Sequence, residues 1–348
     1  MSQLDRTWVG GVGRRAALLC LLTVSVFLTV RAEAAEIEEL MAALSFSSED
    51  VEAVRAGKFV SARLKSASDR ELAIALAVKL PIEPQDLVAI LEGGGALSSN
   101  PKVKHFGVVP KPVGTEDLAD ITLGPDQIDR WRNAVAGEDI NLSEDEFGEL
   151  RTERASTRGE PAPVAAIQEA ARQILYSRMR LYQISGLDGI APYRRSDGDV
   201  RDPAHEIRLA SVADRGIGLL PSEFYDVLLG YPDRIPAQFQ EVFFWTLEEG
   251  PGGRLVNLTH RFAVAVDGGF GIVQRQFFVT AGYNMEQAVS RILPVKGGSI
   301  LLYTNRTSTD AVGGFGGSAR RSIGDGMLEG ELKSVIRSII HSASEKPD

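Results

Sequence analysis

The chain has 348 residues, with 38 Lys and Arg against 47 Asp and Glu, for a formal net charge of −9. That acidity argues against nucleic acid, which needs a concentrated basic surface, and gives no support for docking to anionic lipid headgroups. A single cysteine, Cys20, leaves no intrachain disulfide and no Cys-based metal site.

In chain order, Arg14 and Arg15 precede an uncharged run from Ala16 to Val30, and Ala32-Glu33-Ala34 offers small residues for cleavage. Basic, apolar, then small is the pattern of a secretory leader. The run is shorter than the ~20 residues that span a bilayer, although an uncleaved anchor is the competing reading because Arg31 bounds it. Leu19 before Cys20 breaks a lipobox. Residues 1–34 are therefore expected to be a signal peptide, and the product is expected to be periplasmic or secreted. Cleavage would remove Cys20 with four basic and two acidic residues, leaving a more acidic chain.

Residues 35–57 read as a helical segment. Ile37, Leu40, Met41 and Leu44 recur at helical spacing, and Ser47 to Asp50 looks like the cap of a second short helix. Phe59 to Leu64 and Glu71 to Leu80 flank a polar turn and predict a hairpin. The second run is rich in Ala and Leu, which propensity would allow as helix. Alternation of Ile74, Leu76, Val78 and Leu80, with Pro81 and Pro84 behind, favours strand. A helix is predicted from Pro84 to Leu91 and a short strand from His105 to Val109. An acidic, mostly helical insertion covers about 115–185, broken by a charged linker from Thr152 to Ala162. Its strongest helix runs from Pro163 to Leu181. A loop from Gly186 to Asp202 and a short helix from Pro221 to Leu229 follow.

Val242 to Asp310 predicts four antiparallel strands, with a short polar-apolar run between the third and fourth. In the second strand Val256, Leu258, His260, Phe262, Val264 and Val266 share one face, and Asn257, Thr259 and Arg261 take the other. The apolar side is expected against a core or cavity, and the polar side nearer water. A glycine loop, Gly313 to Gly317, leads into a final helix on which Met327, Leu328, Leu332, Val335, Ile336, Ile339 and Ile340 form a stripe. That helix is expected to pack on the concave face of the sheet, and 343–348 is expected to be a disordered tail.

The order of hairpin, helix, helical insertion, antiparallel strands and long C-terminal helix resembles the START-like, or helix-grip, superfamily of lipid-transfer and polyketide-cyclase-like proteins. The resemblance is topological and covers Lys58 to Ile340 with interruptions, within a domain expected over 58–342. It implies an α+β fold in which a curved antiparallel sheet wraps the last helix around an apolar cavity. Gly189 to Arg195, Leu302 to Thr307 and the Gly-Phe-Gly-Gly loop are also similar to segments of a family of uncharacterised exported bacterial proteins. Some of those carry a cysteine pair near the place of Ala134 to Glu138, which this chain lacks.

Chemistry-bearing candidates are few. His260 lies on an apolar face, where a satisfied core residue is the commoner outcome. Arg275 shares parity with Val273 and Phe277 and needs an acceptor, either an internal acid or a ligand carboxylate. From the turn at Asp267-Gly268-Gly269, His260 and Arg275 are expected close together, sharing a face if no one-residue slip intervenes. Tyr283 and Asn284, and the run with Tyr303, Asn305, Arg306 and Asp310, sit at strand ends, as a polar cluster at a cavity mouth or as turn chemistry. The four histidines are not spaced as a metal pair. No HExxH, GxxxxGK[ST] or GxSxG pattern occurs, so neither metal nor cofactor is expected. The leading reading is an exported protein that binds or carries an apolar small molecule or lipid. Behind it stand an envelope structural protein that meets a protein partner, and an enzyme of cyclase, hydrolase or isomerase type using His260 and Arg275.

Overall fold

The structure, a computed structural model, describes residues 35–344 apart from 93, 139, 156–161, 197, 251–252 and 314–316. The expected leader, the tail from 345 on, much of the charged linker and the centre of the glycine loop lie outside the described residues.

Helices α1 (35–43) and α2 (Ser48–Arg55) open the described chain. Ser47 caps α2 in a reciprocal capping box with Asp50. Strands β1 (Val60–Arg63) and β2 (Glu71–Leu80) form the expected hairpin, followed by α3 (Pro84–Glu92), α4 (Gly95–Ser99) and strand β3 (Val103–Val109). The helical segment contains α5 (Pro125–Asn133), α6 (Glu144–Ala155) and α7 (Val164–Ser185). It continues past a small β4 (Tyr193–Arg194) and β5 (Val200–Arg201) ribbon into α8 (Pro203–Ala213) and α9 (Glu223–Gly230). Strands β6 (Gln240–Gly250), β7 (Gly253–Val266), β8 (Gly269–Val279), β9 (Met285–Val295) and β10 (Gly298–Ser308) precede α10 (Gly317–Ser344).

The fold is α+β, built on a large curved antiparallel sheet of eight strands in the order β1-β2-β10-β9-β8-β7-β6-β3. Where four strands were expected after residue 240, there are five. The polar-apolar run between the third and fourth is β9, paired along its whole length with β10 and over much of it with β8. Its Pro294 falls near the strand end, where a missing N–H matters least.

Tight turns fix the register. Asp267 and Gly268, both at positive φ (45° and 74°), form a two-residue hairpin turn, and from it His260 falls directly opposite Arg275. The β7–β8 irregularity lies farther from that turn, between Leu258 and Thr259, so it does not separate the two residues. At Gly298 (φ 138°), a Cβ would overlap the Leu80 carbonyl oxygen, so only glycine lets β10 enter the sheet beside β2.

Both faces of the sheet are covered. On one, Tyr182 of α7 and Phe224 of α9 pack with Phe243, Phe262 and Phe277. Farther along the same face, Met41, Leu44, Val51 and Val54 of α1 and α2 pack against Ala75, Ala77 and Leu302. The alanines of β2 thus make room for helices, which explains a composition that propensity alone would read as helical. On the opposite face, Leu76, Val78 and Leu80 meet Leu87 of α3 and Ile336 and Ile339 of α10. Asn257, Thr259 and Arg261, expected nearer water, are buried on this second face.

α10 is held in two ways. Its second half is seated by Ile336 and Ile339. Its first half is tied by Arg63 to Asp325 (3.3 Å) and Ser322 (2.7 Å), and Lys102 pairs with Glu331. Gly324 lies against Leu72, where a Cβ would stand 3.0 Å from its methyl groups. Ile336→Ala is expected to lower the unfolding free energy by about 2–4 kcal/mol in urea titrations. An unchanged midpoint would show that the helix is not docked through this side chain.

Candidate ligand-binding site

A cavity of about 580 Å³ lies between the second face of the sheet and α10, with α3 and α4 at its side. Leu80, Leu87, Leu301, Ile336 and Ile339 make its apolar wall. Alternate residues of three neighbouring strands turn polar groups into it: Gln274 and Gln276 from β8, Glu286 and Ser290 from β9, Tyr303 and Thr307 from β10. Tyr283 and Glu248 border the same end.

Glu286 is the centre of these groups. It is surrounded by protein yet reachable by a water-sized sphere, because it borders the cavity. Gln276 Nε2 donates to its Oε1 at 3.4 Å, and Thr307 Oγ1 lies 3.4 Å from its Oε2. Both contacts are longer than ordinary hydrogen bonds. Tyr283 OH donates to Gln276 Oε1, Thr307 lies 2.8 Å from Asn305 Oδ1, and Asn305 Nδ2 donates to Tyr303 OH at 3.2 Å. Burial pushes the Glu286 carboxyl up to about 7, opposed by Asn305 and Thr307 and reinforced by Glu248 and Glu331. Burial likewise raises Glu248, and raises the phenols of Tyr283 and Tyr303.

Arg261 crosses the same face without an acid partner. It donates to the Leu91 carbonyl (2.6 Å) and to Gln274 Oε1 (2.9 and 3.3 Å), and lies 5.0 Å from the Phe244 ring centroid. Burial pushes it down to about 10, with Glu92 opposing.

The candidates from sequence divide between the two faces. Tyr283 and Tyr303 line the cavity, and Asn305 joins them through its hydrogen bonds. His260 and Arg275 lie together on the other face, both 0% exposed, with Tyr182 between them. Arg275 found neither an internal acid nor an open space for a carboxylate. It donates to Tyr182 OH (3.3 Å), the Leu228 carbonyl (2.9 Å) and Gln287 Oε1 (3.2 and 3.3 Å), all neutral acceptors. His260 is sandwiched among Phe243, Phe262 and Tyr231, at ring separations of 4.0, 3.9 and 4.6 Å. Burial pushes it down to about 4 despite Glu241, so it is neutral at pH 7. Since Arg275 donates to Tyr182, the phenol donates to His260 Nδ1 (3.2 Å), and His260 Nε2–H donates to Glu241 (3.2 Å).

Arg306 also points away from the cavity. It pairs with Glu71 (2.9 Å), lies 3.7 Å from Asp214 and donates to the Ala213 carbonyl (2.8 Å). Asn284 accepts from Arg195 at 2.8 Å. Asp310 collects Arg201 (2.6 Å), Arg195 (2.9 Å) and Arg70 (3.2 Å). Against the upward push of partial burial, Arg201 and Arg195 hold its carboxyl below the usual range. Asn305, Arg306 and Asp310 therefore do not form one cluster. Glu286, Gln276 and Glu248 are the site residues that sequence reasoning missed.

Compared with protein-family models, curated proteins and solved structures, the chain matches none of them. Among the described residues no three His, Asp or Glu side chains gather as metal ligands, and no helix is long and apolar enough to cross a membrane.

Glu286 makes pH a direct test of the site. Its folded value lies above the unfolded 4.5, so its stabilising contribution is complete below about 4.5 and is lost as pH rises through about 7. Glu286→Gln keeps the shape and cannot ionise. It is expected to raise stability above pH 7 by on the order of a few kcal/mol, with the gap closing toward pH 4.5 in thermal melts. Coincident melts across that window would show an unperturbed carboxyl.

Proposed function

We propose that the chain is an exported carrier of an apolar small molecule or lipid, held between the sheet and α10 in a START-like, helix-grip manner. The observation that carries the reading is the cavity. Protein interiors are ordinarily close-packed, and a space of this size with apolar walls and a few convergent polar groups has the make-up of a ligand pocket. The element order, ending in a helix laid across the sheet, supports the START-like grouping. The Arg14 to Ala34 pattern supports export, to the periplasm or beyond the cell.

The first half of α10 suits a movable wall. Gly324, Gly326 and Gly330 each weaken an isolated helix by about 1 kcal/mol relative to Ala, so contacts with the sheet must hold it. Ile323 and Met327 border the cavity yet are 66% and 64% exposed, as expected of side chains that a bound apolar molecule would cover.

A second reading, an envelope interaction protein without catalysis, draws on the exposed Leu181 and Ile184 of α7, which lie close together on one helix. The two readings separate by experiment. Carrier function predicts saturable Nile red fluorescence with the full chain, abolished by Ser290→Trp, which fills the cavity, while circular dichroism stays native. Native mass spectrometry of protein from its own envelope should show a co-purified apolar molecule. Nile red that fails to bind, or binds the Trp variant equally, would sink the carrier reading.

Arg275→Met supplies a contrasting prediction. It strips donors from Tyr182, Leu228 and Gln287, so about 2–4 kcal/mol of stability should be lost in urea titrations. Nile red binding at the folded baseline should be unchanged, because Arg275 faces away from the cavity. Loss of dye binding without loss of stability would return Arg275 to the ligand site.

A further inference from the structure

We infer that the cavity occupant is an apolar molecule ending in a protonated amine, its ammonium group set against the Glu286 carboxyl; this rests on the carrier reading. The first ground is unmet acceptor capacity. An ionised carboxylate accepts at about four lone-pair sites, and the hydrogen bonds to Glu286 from Gln276 and Thr307 are both long, at 3.4 Å. Tyr283 spends its hydrogen on Gln276, and Asn305, which also hydrogen-bonds the Glu286 carboxyl, has only one amide hydrogen for it because the other lies on Tyr303.

The second ground is charge. Among the described residues no Lys or Arg pairs with Glu286 or Glu248. The cations bordering the cavity are otherwise engaged: Lys102 with Glu331, Arg320 with the Gly313 carbonyl (2.6 Å), and Arg261 with Leu91 and Gln274. Glu248 acts on Glu286 with the same sign, and more strongly than Glu331, which pairs with Lys102, so this end of the cavity repels an anion and attracts a cation. An ammonium group brings a positive charge and three N–H donors, which complement an acceptor-only carboxylate. A carboxylated molecule would bring a third negative group beside Glu286 and Glu248. A hydroxyl supplies one donor and leaves the charge unmatched. The apolar wall of Leu80, Leu301, Ile336 and Ile339 takes the hydrocarbon part.

The test uses the full chain at neutral pH with Nile red bound, displaced in turn by dodecylamine, dodecanol and dodecanoate. Dodecylamine is expected to displace at the lowest concentration and dodecanoate at the highest. Glu286→Gln should weaken dodecylamine by roughly tenfold or more and leave dodecanol within about twofold, a difference that adhesion of the amine to an acidic surface cannot produce. Dodecanoate equal to or tighter than dodecylamine would overturn the amine assignment and point to Arg261 instead. An unchanged dodecylamine affinity in Glu286→Gln would overturn it as well. In either case displacement by dodecanol keeps the carrier reading, whereas failure of all three compounds and of Nile red ends both.

Discussion

Helices cover one antiparallel sheet on both of its faces, and the rest of the molecule depends on that double burial. Side chains along β7 to β10 alternate between two interiors, so a polar residue on these strands must be satisfied inside the protein or at the cavity. A strand exposed on one side could send its charges to water. Here Arg275, Arg291 and Arg306 go one way, and Arg261 and Glu286 go the other.

The two interiors meet this demand differently. Against α7 and α9 the space is filled, and one run of polar groups is matched in sequence: Arg275 to Tyr182, Tyr182 to His260, His260 to Glu241, and Glu241 to Lys111 at 3.1 Å, while Gln287 Nε2 has no partner among the described residues. Each hydrogen has one acceptor to go to, and that order selects a single tautomer of His260. The chain resembles catalytic relays in its residue types. Its packing among aromatic rings, with an arginine rather than a substrate at its inner end, makes it a device for seating a cation in an apolar layer. Beneath α10 the space is open, and among the described residues no Lys or Arg pairs with Glu286.

Much of the architecture could be read from the amino acids. The β1–β2 hairpin, the long helix through Ile174 and the final helix each had a periodicity that matched one structure. Alternation in β7 separated its two faces correctly, yet the polar face is buried and not a surface, with Arg261 at the cavity. Asn257, Thr259 and Arg261 carry no mark that distinguishes the two, because what covers a strand is decided by elements distant in sequence, as α3 is where its Leu91 carbonyl meets Arg261. β9 was missed for a related reason. With Glu286, Gln287, Ser290 and Arg291 distributed over both faces, it lacks the apolar alternation that signals a strand, and so the central site residue was hidden in it. Pairing with a neighbour on each side and the tight turn at Lys296-Gly297 define it, and only the turn is local. α8 had legible ends that were overlooked: Asp202 caps it, accepting from the His205 amide at 3.0 Å, and Pro203 occupies its first turn.

The two halves of α10 answer to different forces. Partly exposed ion pairs, Arg63 with Asp325 and Lys102 with Glu331, tether the end beside Ile323 and Met327, and such pairs are weakened as dissolved ions screen them. Ile336 and Ile339 seat the other end by apolar burial, which salt does not screen. Ionic strength therefore acts on the helix as on a hinged beam, loosening the tethered end while the seated end stays fixed. In concentrated salt the tethered half of the helix is therefore held less firmly than the seated half, and the wall beside Ile323 and Met327 is the part of the fold most sensitive to the medium.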